Sequence, residues 1–135
     1  MEYIDFKKEA GELIHQIGEI RKLMDPARKH EELKALESTM NDPSFWNDQN
    51  HAKKISKQVS QLRDEIEHIA RLESTREELE TYLEFLDEEF SEDMLAEAEA
   101  NLPYIRQFTE KAEIECLLND KYDHNDALFT IHAGA

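Results

Sequence analysis

Six histidines, one cysteine and 32 acidic residues are the side chains in this sequence best suited to acid–base chemistry or metal binding. The histidines stand at 15, 30, 51, 68, 124 and 132, so no two lie three or four residues apart on a shared helical face, the spacing a metal would need. Cys116 is alone, which excludes an internal disulfide and a cysteine-based zinc site and fits a reducing, cytosolic compartment. It is expected to pack as a small apolar residue. The acidic residues include close pairs, but nothing in their pattern places a pair in a dry cleft where a raised pKa would make an acid catalyst. There is no glycine-rich phosphate loop, no serine–histidine–aspartate spacing and no aromatic-plus-basic patch for RNA. The residues therefore assign no catalytic site, no cofactor, no metal and no small-molecule ligand, and solvated helix faces account for the charge.

The elements carrying these side chains are organised around residues 51–90. Apolar residues fall at Ile55, Val59, Leu62, Ile66 and Ile69, then at Leu72, Leu79, Leu83, Leu86 and Phe90. The first five alternate steps of four and three, the heptad rhythm that keeps one face toward a partner helix. The seam skips between Ile69 and Leu72, and Ser74 and Thr75, each with a Glu three residues on, offer a capping box that would restart the helix there. One long helix and two shorter ones both fit. A continuous helix of about 40 residues would be a rod of roughly 60 Å whose apolar face must be covered by the flanking segments.

The composition agrees. Three glycines, three prolines and 36% charged residues in 135 positions belong to long helices with short connections. The net charge of −16 argues against binding a phosphate backbone and suits a basic protein partner. The N-terminus, Met1-Glu2-Tyr3-Ile4-Asp5, has no signal-peptide pattern, and no apolar run is long enough to span a membrane.

In chain order, Phe6, Ala10, Leu13, Ile14, Ile17, Ile20 and Leu23 predict a helix over 3–24. Asp25-Pro26 should end it, cap a second helix over 26–40 and bend the arm between them. In the loop 41–48, Asp42 and Pro43 form a turn and Phe45 and Trp46 are expected to plug the end of a bundle, with partner contact as the other reading. A last helix is expected over 91–118, with Pro103 kinking or splitting it. Residues 119–126 read as a turn-rich break, and 127–132 as a short β-strand without a partner, so a second, sheet-containing domain is expected to begin at 122 and to continue beyond 135. The expected fold is all-α, an antiparallel bundle or coiled coil of three long arms over 1–121, with a strand stub at its C-terminal end.

Two stretches carry a family resemblance. Asn41-Asp42-Pro43-Ser44-Phe45-Trp46-Asn47-Asp48 and Tyr122-Asp123-His124-Asn125-Asp126-Ala127-Leu128-Phe129-Thr130-Ile131-His132-Ala133-Gly134-Ala135 resemble bacterial peptide chain release factors. The second is similar to the entry into that family's second domain. The resemblance implies a cytoplasmic factor that recognises UGA or UAA on the ribosome and promotes peptidyl-tRNA hydrolysis. It also implies that the family's Ser-Pro-Phe and Gly-Gly-Gln motifs, which do not occur here, make the mRNA and rRNA contacts from other domains. This stretch would then be the helical first domain, which contacts ribosomal protein at the base of the large-subunit stalk, and would not be an enzyme by itself. Pro103 departs from the family pattern. From a different class, a freestanding acidic coiled-coil adaptor or chaperone-like protein is the alternative.

The charge is concentrated. Residues 74–100 hold eleven of the acidic residues and one basic residue, at the turn joining the long helix to the last. Solubility is the plain reading of such a tip. The sharper one is that Asp87, Glu88, Glu89, Glu92 and Asp93 steer the domain onto a basic ribosomal protein.

Overall fold

The computed structural model describes residues 1–124, of which 119–124 are described as helical backbone only. Four helices follow one another: α1 (Tyr3–Met24), α2 (Pro26–Met40), α3 (Gln49–Glu88) and α4 (Glu92–His124), with a short 3-10 turn over Pro43–Asn47. Among the described residues there is no strand. The strand expected at 127–132 lies outside the described residues.

The first two helices meet at a single residue. Asp25 adopts a left-handed backbone (φ 49°), a conformation that a short polar side chain tolerates better than most. There it closes α1, its N–H reaching the carbonyls of Arg21 and Lys22 at 3.2 Å, while its carboxylate accepts from the N–H of Arg28 at 3.4 Å to open α2. Lys29 Nζ donates to the Met24 carbonyl at 2.7 Å across the same corner.

Helix α3 is one unbroken helix, so the restart at Ser74 and Thr75 does not occur. Thr75 instead donates its hydroxyl to the Arg71 carbonyl at 2.8 Å, one turn back, and the helix simply continues. The burial of Ile69 and Leu72 on either side of the heptad skip shows why: both phases of the seam are covered, and no unwinding is needed to hide either.

Helix α4 also runs through two expected breaks. Pro103 sits inside it, exposed, and the buried Leu102 and Ile105 on either side hold the helix together although the Glu99 carbonyl has lost its donor. Beyond residue 118 the helix continues to His124 in place of the expected break, since Asn and Asp disfavour a helix only mildly and no Gly or Pro intervenes.

Packing divides the molecule along α3. Its C-terminal half joins α1 and α4 in a three-helix bundle whose core includes Phe6, Ile17, Ile20, Leu72, Leu79, Leu86 and Leu102. Its N-terminal half pairs with α2 alone around Phe45, Ala52, Ile55 and Val59, flanked by half-buried Leu33, Leu36 and Met40. Ion pairs across the helices fix the directions. Lys7 meets Asp87 at 3.2 Å and Arg21 meets Glu73 at 2.8 Å, so α1 is antiparallel to α3. The second pair has the distance but not the alignment of a hydrogen bond. Glu9 with Arg106 and Gln16 with Glu113 set α1 parallel to α4. Lys29 with Glu65 at 3.5 Å and Glu37 with Arg63 at 2.8 Å set α2 antiparallel to α3.

Candidate functional site: the two ends of the long helix

The residues singled out in the sequence lie at opposite ends of α3, which at about 1.5 Å per residue are roughly 60 Å apart. At the C-terminal end, Glu89, Phe90 and Ser91 link α3 to α4. Glu89 turns the chain to an extended backbone while its N–H still bonds the Phe85 carbonyl at 2.9 Å, and Ser91 Oγ caps α4 by accepting from Met94 N–H at 3.2 Å. Buried Leu86 and Leu95 on either side anchor the link to the bundle.

The five carboxylates of this end divide into one that is held and four that are free. Asp87 accepts from the hydroxyl of Tyr3 and from Lys7 Nζ, 3.2 Å away, both reaching over from the first turns of α1. The Tyr3 bond first, and then Lys7, hold the Asp87 carboxyl below its ordinary value. Tyr3 moves the opposite way, pushed up to about 12 by burial first and then by its bond to Asp87 and that group's charge. The Phe90 ring leans on Tyr3 with centroids 5.7 Å apart. Glu88, Glu89, Glu92 and Asp93 are exposed and make no ion pair or side-chain hydrogen bond with other described residues.

Position on the helices separates these four further. Glu92 and Asp93 occupy the first turn of α4, where the helix dipole favours a negative charge by about 0.3–1 kcal/mol. Glu88 and Glu89 stand at the C-terminal end of α3, against its dipole, and no basic residue occupies that last turn to compensate. Glu88 and Glu89 therefore do not serve the fold, while Glu92 and Asp93 gain from the dipole of α4 alone.

At the other end, Asp42 Oδ1 accepts from Ser44 N–H at 3.0 Å and from its hydroxyl at 2.9 Å, which lowers the Asp42 pKa, and Pro43 begins the 3-10 turn. Phe45 is buried in the smaller core. Trp46 is 57% exposed, contrary to the expected plug, and touches the edge of the Phe45 ring with centroids 4.9 Å apart. One aromatic fills the space that the hairpin has to offer, which leaves its neighbour in solvent. A groove of about 690 Å³ lies between these ends, at the corner of α1 and α2, where basic Lys22, Arg28 and Lys29 face acidic Asp25, Asp64 and Glu65. Among the described residues no group of three His, Cys, Asp or Glu side chains converges as metal ligands, and no helix is long and apolar enough to cross a membrane.

Sequence reasoning missed Tyr3 and Lys7, because their partner is 80 or more residues away and only the antiparallel packing of α1 on α3 brings them to Asp87. The described residues form an all-α bundle with an acidic end. The chain belongs to the PCRF domain family, which matches residues 29–135. It is 36% identical over 129 residues to peptide chain release factor 2 of Petrotoga mobilis, covering 96% of this chain and 35% of that protein. It is 32% identical to the protein of the same name from Listeria innocua over 100% of this chain and 37% of the relative. To that of Acholeplasma laidlawii it is 36% identical over 121 residues, 89% of this chain and 32% of the relative. The chain thus spans about a third of the length of these curated relatives. No solved structure matches it.

Proposed function

We propose that this chain is the ribosome-contacting helical domain of a cytoplasmic translation termination factor. In this reading the full-length protein recognises UGA or UAA and promotes peptidyl-tRNA hydrolysis through domains other than this one, and residues 122–135 lead into the second of them. Family membership and the release factor 2 relatives support termination as the process. The acidic end supports the kind of contact: Glu88, Glu89, Glu92 and Asp93 are exposed and unpaired among the described residues, and two of them oppose the dipole of their own helix. A basic ribosomal protein at the base of the large-subunit stalk is the partner that this surface would meet.

Charges at the rim of an interface raise the association rate more than the final affinity. Replacing Glu88, Glu89, Glu92 and Asp93 by Lys in the full-length factor, with Asp87 left on Tyr3, is expected to slow association with ribosomes at low salt by about tenfold or more. The difference should close as salt shortens the screening length toward about 8 Å. An unchanged association rate at low salt would reduce the acidic end to a solubility device.

A further inference from the structure

The opposite end of α3 has a different electrostatic character. From Gln49 to Arg63 the helix carries four basic residues and no acidic one, in a chain whose net charge is −16. Arg63 is committed to Glu37 at 2.8 Å. Lys53, Lys54 and Lys57 are exposed and have no ion pair or hydrogen bond with other described residues. Asp42 is bonded to Ser44 and Asp48 Oδ1 caps α3 by accepting from His51 N–H at 3.1 Å. Each keeps its charge, so residues 41–63 carry two acidic and four basic side chains, a local excess of two positive charges.

Trp46 lies in the 3-10 turn that leads into this basic stretch of α3. Its indole is held at the edge of the Phe45 ring, and Phe45 in turn meets the His51 imidazole at 5.7 Å in the first turn of α3. The indole is thus fixed in place with more than half of its surface open. We propose that this end of the molecule binds structured RNA, with Lys53, Lys54 and Lys57 on backbone phosphates and Trp46 stacked on an unpaired base. Each half of the pair has a physical reason: lysines supply the sequence-independent phosphate term, and a fixed exposed aromatic offers a stacking platform that any base fits.

Sequence reasoning found no aromatic-plus-basic patch because Trp46 was expected to be buried; its exposure supplies the aromatic half, and the overall charge does not forbid this. Glu77, the first residue of the acidic end, lies twenty residues along α3 from Lys57, about 30 Å by helical rise. At physiological ionic strength that is nearly four screening lengths of about 8 Å, so the acidic tip is screened from an RNA at the hairpin end. Of the nearer carboxylates, Glu65 is paired with Lys29, and Asp64 and Glu67 lie about 10–15 Å along the helix from Lys57. The surface is at the other end from the proposed stalk-base contact and does not depend on it.

Trp46 is the sole tryptophan, so its fluorescence reports this surface alone. The full chain would be titrated with an RNA hairpin bearing an unpaired loop, at about 50 and 150 mM salt, where three phosphate contacts should lower the affinity by about ten- to twentyfold. Quenching of Trp46 is expected. The triple variant Lys53→Glu, Lys54→Glu, Lys57→Glu, checked for retained helix by circular dichroism, should weaken binding by at least tenfold. Glu88→Lys with Glu89→Lys should leave binding at 150 mM within about twofold, given the distance. Trp46→Phe, followed by anisotropy of labelled RNA, should bind more weakly yet keep the salt dependence. Absence of quenching, or equal binding by the triple variant, would overturn the proposal. So would polyglutamate of matched charge quenching Trp46 as strongly as the RNA, an outcome that would assign the surface to an acidic protein.

Discussion

Phe45 and Trp46 are adjacent, yet one is 5% exposed and the other 57%. Their energetic roles should differ accordingly. Phe45→Ala removes the largest side chain of the smaller core and is expected to cost about 3 kcal/mol or more in a urea titration, whereas Trp46→Ala should fall within about 0.5–1 kcal/mol. Equal losses would mean that Trp46 packs in solution. The Tyr3–Asp87 pair makes a second prediction at this scale. Tyr3 is raised from 10.0 to about 12 on folding, so its stabilising contribution is whole below pH 10 and is lost as pH rises through 12. Asp87 is lowered from 3.8, so its contribution is present above that value and is lost as pH falls through the lower folded pKa. Tyr3→Phe removes the first cause of that lowering and should return the Asp87 pKa toward 3.8, only in part because Lys7 remains. Carboxyl NMR titration reads it directly, and an unmoved Asp87 pKa would show that the bond does not form.

Among the elements, α4 tolerates a proline at an interior position because the burial of Leu102 and Ile105 outweighs the lost backbone bond. Restoring that bond should show. Pro103→Ala is expected to raise the midpoint of thermal unfolding, with a gain of up to about 3 kcal/mol if the helix is strained there and less if it has adjusted. A lower midpoint would mean that the proline is required by the packing. On α1, Gly11 is exposed mid-helix and a methyl group added to it would meet nothing within 4 Å. Gly11→Ala should therefore stabilise by about 0.5–1 kcal/mol, since it reduces the entropy of the unfolded chain without a clash. The 40-residue α3 depends on its partners in two different ways, being covered by two helices along one half and by a single one along the other.

At the scale of the whole molecule, that difference predicts uneven stability. Among the described residues the three-helix bundle has fourteen buried core residues and the α2–α3 hairpin four, and α2 has no fully buried residue at all. Hydrogen exchange should therefore find the amides of α2 and of the first turns of α3 opening at lower free energy than those of α1 and the second half of α3. Uniform protection would contradict the two-core arrangement. The sequence alone determined the all-α class, the bounds of α1 and α2 and the near bounds of α3, because apolar spacing and the Asp25-Pro26 cap are local signals that survive without tertiary context. It also located the acidic tip, a matter of counting. It misjudged the break after 118, where a local preference of a few kcal/mol or less competes with packing that the sequence does not display, and it left open whether α3 restarts at Ser74–Thr75 and whether Pro103 splits α4 or only kinks it. Only the tertiary structure decided which half of α3 is doubly covered, that Tyr3 and Lys7 hold Asp87, and that Trp46 faces solvent. It also decided that the charge of −16 does not act as one charge: a rod several screening lengths long presents a different sign at each end.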